Sequence, residues 1–150
     1  MKLILPAAMP RLAACAVLCA GLLFTGAPVV AQAIDVTVDI SQQRMVVTHR
    51  GTVVANWPVS TARKGKVTPV GTYRPQFLKR RHFSSLYNNA PMPYSIFYSG
   101  NYAIHGTDQI SRLGRPASAG CVRLHPDHAR QLFAMVQREG KGATQIRVQH

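Results

Sequence analysis

The chain has 150 residues, of which 18 are lysine or arginine and 5 are aspartate or glutamate, giving a formal net charge of +13. This length corresponds to one domain and argues against a multidomain enzyme. With 47% hydrophobic and 15% charged residues, the chain is too apolar to be a disordered basic tail. A single domain with a hydrophobic core is therefore expected.

The first 33 residues have the pattern of a secretory signal peptide. Two basic residues, Lys2 and Arg11, precede a short apolar run at residues 12–24, and the small residues Ala31 and Ala33 follow. The run is too short to span a membrane, which takes about 20 apolar residues. We therefore expect cleavage after Ala33 and export to the periplasm or cell envelope. The mature domain would comprise residues 34–150 and keep no stable membrane span.

The mature domain would keep a strong excess of positive charge. Loss of Lys2 and Arg11 lowers the net charge only from +13 to +11. Such a charge suits an anionic partner, for example an acidic polymer or a membrane surface. Nucleic acid is disfavoured, because the protein is expected to be exported and no recognisable reading helix or stacking platform is present.

Strands dominate the first half of the mature region. Residues 36–40, 44–49 and 52–60 are rich in β-branched residues, and Arg50-Gly51 forms a tight turn before the last of these runs, so a hairpin or meander is predicted. A basic loop at Ala62–Pro69 leads into a further strand at residues 70–74.

The segment Lys79–Pro93 is polar and aromatic, and it carries several basic residues and two prolines. It is long for a structureless connection in a domain of this size. We therefore interpret it as a functional flap or lid.

The second half is predicted to contain two paired strands, one helix and a final strand. Residues 94–98 and 102–104 flank a turn at Ser99-Gly100-Asn101. The helix is predicted to begin at Pro126 and to end before Gly140, with an apolar stripe on one face. Residues 144–148 form the last predicted strand, so the overall expectation is a mainly β domain with one main helix.

Cysteine usage singles out one residue. Cys15 and Cys19 would leave with the signal peptide, so Cys121 is the only cysteine of the mature domain and an intrachain disulfide is impossible. A lone thiol in an oxidising compartment is a liability unless it is buried, paired between chains or used chemically. From the count alone, a buried small hydrophobe and a reactive thiol are both open.

The sequence around Cys121 favours acyl-transfer chemistry. A predicted strand ends near His105, and the following loop, rich in Gly, Pro and Ser, returns at Ser118-Ala119-Gly120-Cys121. Gly120 permits a sharp bend that can point consecutive N–H groups into one small space. A thiolate there can attack a carbonyl while the amides stabilise the resulting oxyanion. His105 is the best candidate to take the thiol proton; the alternative is a buried histidine bonded to a loop carbonyl.

His125 and His128 lie three positions apart, a spacing that could indicate a metal pair. With no third ligand nearby in sequence, capping or solvated positions at the helix entry are favoured, and no metal site is predicted.

A family resemblance joins these motifs. His105-Gly106-Thr107, with Cys121 sixteen positions after His105 inside Ser118–Leu124, resembles the signature of the L,D-transpeptidases with a YkuD-like catalytic domain. Upstream segments at residues 59–62, 68–73 and 92–97 occur in the family's order, so the resemblance covers nearly all of residues 36–148. It implies a β-sandwich of mixed sheets with a helix packed alongside.

The resemblance also implies catalytic roles. Cys121 corresponds to the nucleophile, His105 to the general base, and the Gly106 carbonyl to the group that orients the imidazole ring. The backbone N–H groups of Ala119, Gly120 and Cys121 correspond to the oxyanion site. No metal or organic cofactor is implied, because thiol, imidazole and amides suffice.

Substrate contacts are implied at Arg123, Tyr94 and Ser118, with the Arg80–Pro93 stretch and Tyr94 forming a lid over the donor groove. One departure stands out, because many family members carry a second histidine where this chain has Ala119. We expect activity to survive, since oxyanion binding would use backbone N–H groups.

The function implied is that of an exported peptidoglycan L,D-transpeptidase. Cys121 would form a thioester with a tetrapeptide donor stem, release D-alanine and pass the acyl group to an amine acceptor, giving 3→3 crosslinks; transfer to water would give carboxypeptidation. Two alternatives stay open. The same chemistry could attach an outer-membrane protein or lipoprotein to peptidoglycan, or release it, and a non-catalytic wall-binding module could have kept the fold.

Overall fold

The computed structural model describes residues 32–150. The predicted signal peptide lies outside the described residues except for its last two positions, so the cleavage site stays a prediction. Within residues 32–150, no helix combines the length and the apolarity needed to cross a membrane.

The described chain contains nine strands and one α-helix. In chain order these are β1 (Ile34–Asp39), β2 (Arg44–His49), β3 (Thr52–Pro58), β4 (Gly71–Tyr73), β5 (Phe77–Lys79), β6 (Ser95–Ser99), β7 (Tyr102–Gly106), β8 (Val122–Leu124), α1 (Pro126–Glu139) and β9 (Thr144–Gln149), with short 3-10 turns at Ile110–Arg112 and Lys141–Ala143.

The strands form two mixed sheets. The five-stranded sheet has the order β3-β2-β1-β9-β4, and the four-stranded sheet has the order β5-β6-β7-β8. Each sheet contains one parallel pair, β1 with β9 and β7 with β8, while the remaining neighbours are antiparallel. The expected mainly β architecture of mixed sheets with one helix is confirmed.

Both sheets and the helix share one hydrophobic core. On β1, alternate side chains point inward, as the period of two along a strand requires. Helix α1 contacts β1, β6 and β7, so its apolar stripe closes the core. The fully buried members from these elements include Ile34, Val36, Val38, Ile96, Ile104, Val122, Leu124, Leu132 and Ile146.

Two short strands were not predicted. β5 and β8 have three residues each, which is too short for an alternating pattern to be recognised. The predicted strand at residues 52–60 ends at Pro58. Val59 and Ser60 leave the five-stranded sheet, and Ser60 forms an isolated antiparallel bridge with Arg123 of β8.

The two histidines at the helix entry have structural roles. His125 is the N-cap of α1, where its Nδ1 accepts a hydrogen bond from the Asp127 N–H at 3.2 Å. His128 stacks on Trp57, with ring centroids 4.7 Å apart and an interplanar angle of 6°. The capping interpretation of His125 is confirmed. In the part of the chain that the structure describes, no group of three or more His, Cys, Asp or Glu residues is arranged to hold a metal ion.

The far end of α1 is tied to the β2–β3 turn by Glu139. Its carboxylate lies 2.8 Å from Nε2 of His49 and 3.1 Å from a guanidinium nitrogen of Arg50. A carboxylate at a helix C-terminus is unfavourable to the helix dipole, and these partners offset that effect. The hydrogen bonds from His49 and Arg50 lower the pKa of Glu139 below its ordinary value of 4.5.

This pKa shift predicts a pH dependence of stability. A carboxylate with a depressed pKa in the folded state stabilises the fold above its unfolded pKa, and that contribution is lost as the pH falls through the folded value. We expect urea unfolding midpoints to decline below pH 4.5, and Glu139→Gln to flatten that decline. The same decline in the variant and the wild type would contradict this role for Glu139.

Candidate active site

A cavity of about 650 Å³ lies between the four-stranded sheet and the segment that connects β5 to β6. Its walls come from the ends of β6, β7 and β8, the loop before β8 and the predicted lid. Several polar and titratable residues line it, namely His82, Asn101, His105, Asp108, Cys121 and Arg123.

The parallel pairing of β7 with β8 brings His105 and Cys121 to this cavity. His105 lies opposite Arg123 in the ladder, and Cys121 immediately precedes β8. Because side chains alternate along a strand, Cys121 and Arg123 point to the same face as His105. All three residues line the cavity.

His105 is held as a neutral base. Its side chain is buried, and Nδ1 lies 2.7 Å from the carbonyl oxygen of Gly106. A carbonyl can only accept, so Nδ1 carries the proton and Nε2 keeps its lone pair. Burial lowers the pKa of His105 to about 4, and the nearby positive charge of Arg123 adds to this shift.

Cys121 is held as a thiol at rest. Burial raises the pKa of Cys121, while a backbone hydrogen bond from Ala103 and the positive charge of Arg123 act in the opposite direction. The two groups therefore favour an uncharged thiol and imidazole before substrate arrives. Attack on a carbonyl would create charge only as the reaction proceeds.

Arg123 lies at the edge of this pair. Its guanidinium is half-buried and donates to the side-chain oxygen of Gln109 at 3.1 Å. Burial lowers the pKa of Arg123, yet an arginine stays charged at any pH where the fold exists. The residue thus supplies fixed positive charge to the cavity and braces the loop after β7.

Ser118 shapes the loop that carries the thiol. Its hydroxyl donates to the Cys121 carbonyl at 2.7 Å and accepts from the Gly120 N–H at 3.0 Å. The side chain is buried and does not line the cavity. The Ser118 hydroxyl is therefore used in hydrogen bonds within the loop, and its expected contact with substrate stays a prediction.

The same bonds narrow the set of oxyanion donors. The Gly120 N–H is already paired with Ser118, so it is not free for an oxyanion. Within the described residues, the N–H groups of Ala119 and Cys121 donate to no protein acceptor. These two amides are the available donors beside the sulfur.

Buried polar residues hold this loop from behind. The Thr61 carbonyl accepts from the N–H groups of Ala117 and Ser118 at 3.0 and 2.8 Å. Thr61 is in turn held by the amide side chain of Gln43 at 2.6 and 2.9 Å. This network fixes the loop's position relative to β1 and β2, and no local sequence pattern indicates it.

The lid prediction agrees with the structure in position. The segment Arg80–Pro93 folds back on itself through a bridge between Phe83 and Pro91 and a hydrogen bond from the Met92 N–H to the His82 carbonyl at 2.8 Å. One side of it lines the cavity. His82 packs edge-on against Phe97 with centroids 5.1 Å apart.

Tyr94 does not face the cavity. Its ring packs edge-on against Phe133 of α1 at 5.7 Å and joins the main core. The backbone at Tyr94 has φ of 55°, a conformation that costs a residue with a Cβ about 1–3 kcal/mol. The residue therefore anchors the base of the lid, where its N–H donates to the Arg80 carbonyl at 2.9 Å, and its expected contact with substrate stays a prediction.

Several cavity residues were not singled out from the sequence. Asn101 precedes β7, Tyr102 is its first residue, and Asp108 and Gln109 follow it. All four line the cavity, and no local pattern marks them, so only the folded arrangement shows where they lie. Arg63, in the predicted basic loop, also reaches the cavity wall.

Fold and cavity together define a mainly β domain in which a thiol and a neutral imidazole line one cavity, with unpaired backbone N–H groups beside the sulfur. These groups are the components of acyl transfer. The chain belongs to the YkuD family, the L,D-transpeptidase catalytic domain, whose family model matches residues 34–148.

Known relatives agree with this assignment. The chain is 34% identical over 86 residues to a protein described as a probable L,D-transpeptidase ErfK/SrfK from Escherichia coli K12, which covers 52% of this chain and 28% of that protein. An L,D-transpeptidase from Mycobacterium tuberculosis H37Rv superposes with a TM-score of 0.70 at 21% identity, covering 79% of this chain and 58% of that one.

A third similar protein is L,D-transpeptidase 3 from M. tuberculosis, in complex with a faropenem-derived adduct. It has a TM-score of 0.68 at 20% identity and covers 79% of this chain and 60% of that one. At these identities the two structures show a shared fold. The chain spans less than a third of the E. coli relative and less than two thirds of each mycobacterial chain.

Gly120 offers a test of how tightly the loop is built. Its φ of 138° is rarely adopted by residues with a side chain, and an added Cβ would lie 2.6 Å from the Tyr102 ring and 2.8 Å from the Val67 carbonyl oxygen. We expect Gly120→Ala to destabilise the domain by about 2–4 kcal/mol in urea unfolding, from backbone strain and overpacking together.

Gly114 is the matched control, since it also has a positive φ, 84°, but has open space where a Cβ would go. Gly114→Ala should cost only the backbone strain, about 1–2 kcal/mol. Equal losses for the two variants would contradict the close packing behind Cys121.

Proposed function

We propose that this protein is an exported peptidoglycan L,D-transpeptidase that uses Cys121 as its nucleophile. The observation that carries the proposal is that Cys121 and His105, whose imidazole is anchored by the Gly106 carbonyl, line the same cavity in a chain of this family. The unpaired amides of Ala119 and Cys121 beside the sulfur support it further.

In the first half-reaction, the Cys121 sulfur attacks the carbonyl carbon between the third residue and the terminal D-alanine of a tetrapeptide stem. The thiol proton passes to Nε2 of His105, and the carbonyl oxygen becomes an oxyanion near the N–H groups of Ala119 and Cys121. Collapse breaks the carbon–nitrogen bond. His105 returns the proton to the departing amine, D-alanine leaves, and a thioester remains.

In the second half-reaction, an amine of a neighbouring stem attacks the thioester carbon. His105 takes a proton from the attacking nitrogen, and the carbon–sulfur bond breaks as the proton returns to Cys121. The new amide is a 3→3 crosslink. Water in place of the amine gives a shortened stem and no crosslink.

The electrostatics of the site suit this sequence of steps. A neutral imidazole is present at any pH well above about 4, so the base is ready at neutral pH. Arg123 supplies positive charge beside the sulfur, which stabilises the thiolate as it forms and attracts the carboxylates of a stem. The lid covers the cavity and limits the access of water.

The nucleophile can be tested with a β-lactam, since meropenem would acylate the attacking thiol. We expect intact-protein mass spectrometry to show one meropenem adduct on the wild type and none on Cys121→Ala, because the alanine offers no sulfur. The same variant should release no D-alanine from tetrapeptide stems. Release of D-alanine by purified Cys121→Ala would refute the assignment.

The role of His105 predicts a distinctive pH profile. If the base is an imidazole with a pKa near 4, the rate of acylation by meropenem should be level at neutral pH and fall only as the pH approaches that value. His105→Ala should lower the rate at pH 7 by about 10²–10⁴-fold.

Stopped-flow measurement between pH 3.5 and 8, with circular dichroism to confirm folding, checks this profile. An acid limb near the ordinary histidine value of 6.5 would contradict the lowered pKa of His105.

A further inference from the structure

A second, open groove of about 590 Å³ borders the loop that carries Cys121. It is formed largely by the basic turn between β3 and β4. Three cationic residues line it, namely Arg63, Lys64 and Lys66. The apolar floor is formed by Val67, Val70 and Pro116.

The groove adjoins the active-site cavity. Arg63 lines both spaces. Its N–H donates to the Ser118 carbonyl at 3.0 Å, and its guanidinium approaches the same oxygen at 3.3 Å. A ligand lying in the groove would therefore meet the cavity wall at Arg63, next to the loop on which the thioester forms.

The turn is held in a fixed position relative to Cys121. At its far end, the Thr68 hydroxyl donates to the Gly120 carbonyl at 2.8 Å and accepts from the Ala62 N–H at 2.9 Å. Both ends of the turn are thus bonded to the Ser118–Gly120 segment. A ligand bound on the turn would therefore be held at a fixed position relative to the loop that carries the sulfur.

The charges on this turn are available to a ligand. Arg63, Lys64 and Lys66 are exposed, and none of them forms an ion pair within the described residues. At the other end of the groove lies His150, close to Asp39. The Asp39 carboxylate is already bonded to the Ser41 hydroxyl and the Gln42 N–H.

The apolar floor adds a second recognition element. Val67 and Val70 are 67% and 50% exposed, although valine gains free energy when it is removed from water. A ligand suited to the groove therefore carries carboxylates together with small apolar groups, which is the chemistry of a short peptide stem containing alanine and acidic residues.

We propose that this basic groove binds the acceptor stem of the transpeptidation reaction through its carboxylates. The proposal rests on the proposed function. The cations of the groove would hold the carboxylates of the acceptor stem beside the loop on which the thioester forms.

The test separates acceptor use from thioester formation. Lys64→Glu reverses one groove charge on a side chain that makes no protein hydrogen bond within the described residues. With a fixed tetrapeptide donor, crosslinked product is measured by liquid chromatography and mass spectrometry while the acceptor concentration is varied. Two synthetic acceptor stems are compared, one with free carboxylates and one with the same carboxylates converted to amides.

We expect Lys64→Glu to lower the rate constant for transfer to the carboxylate acceptor by about fivefold and to leave transfer to the amide acceptor unchanged. Acylation by meropenem should proceed at the wild-type rate. The difference between the acceptors should shrink at about 1 M salt, where charges are screened within about 3 Å. Arg138→Glu, on an exposed position of α1 that does not line the groove, makes the same charge change and should leave both transfer rates unchanged. Because it adds a carboxylate at the C-terminal end of the helix, its folding is checked by circular dichroism.

Unchanged transfer to the carboxylate acceptor would overturn the groove assignment. So would an equal loss with both acceptors, or slower acylation, since either would mean that the turn acts by positioning Cys121. Failure of the wild type to be acylated at all would instead refute the proposed function, so the two failures are distinguishable.

Discussion

The parallel pairing of β7 with β8 is the contact on which the site depends. It sets His105 against Arg123 and brings the preceding Cys121 to the same face of the sheet. A parallel pair needs a long crossover, and here the crossover is the Gly- and Ser-rich loop itself. The loop is therefore both the connection that permits the pairing and the support of the thiol.

The buried polar network behind the loop gives it a defined shape. Gln43, Thr61 and Ser118 use their polar atoms on one another and on loop backbone groups. Buried polar groups are costly unless they are paired, so once satisfied they hold the loop in one arrangement. The same pairing removes the Gly120 N–H from use and leaves two amides open beside the sulfur.

Burial and charge act together on the reactive pair. The low polarity around His105 and Cys121 favours their neutral forms, while Arg123 favours the thiolate. In the proposed reaction, charge would thus be created mainly when a substrate carbonyl is attacked, in a cavity that the lid lines on one side. In the basic groove, the exposed charges of the turn extend the same positive field away from the sulfur, along the path that we assign to the acceptor.

Local sequence determined much of the fold. The alternation along β1 and β2 and the stripe and stop signal of α1 are short-range patterns, so these elements could be predicted at nearly their observed bounds. The His105 and Cys121 motifs, with the family resemblance, identified the candidate reactive pair. β5 and β8 were missed because three residues carry no period, and their pairing comes from neighbours distant in sequence.

The tertiary structure alone decided the roles of Ser118 and Tyr94, since whether a side chain faces substrate or core depends on packing that no local motif records. The contact between the basic turn and the loop of Cys121 could not be predicted from local sequence either, because the hydrogen bonds between them link residues more than fifty positions apart. The sequence by itself determined which reactive groups this protein has and placed His105 at the end of a predicted strand. The tertiary structure decided which polar atoms remain free to act, because that depends on the partners that each atom has already found.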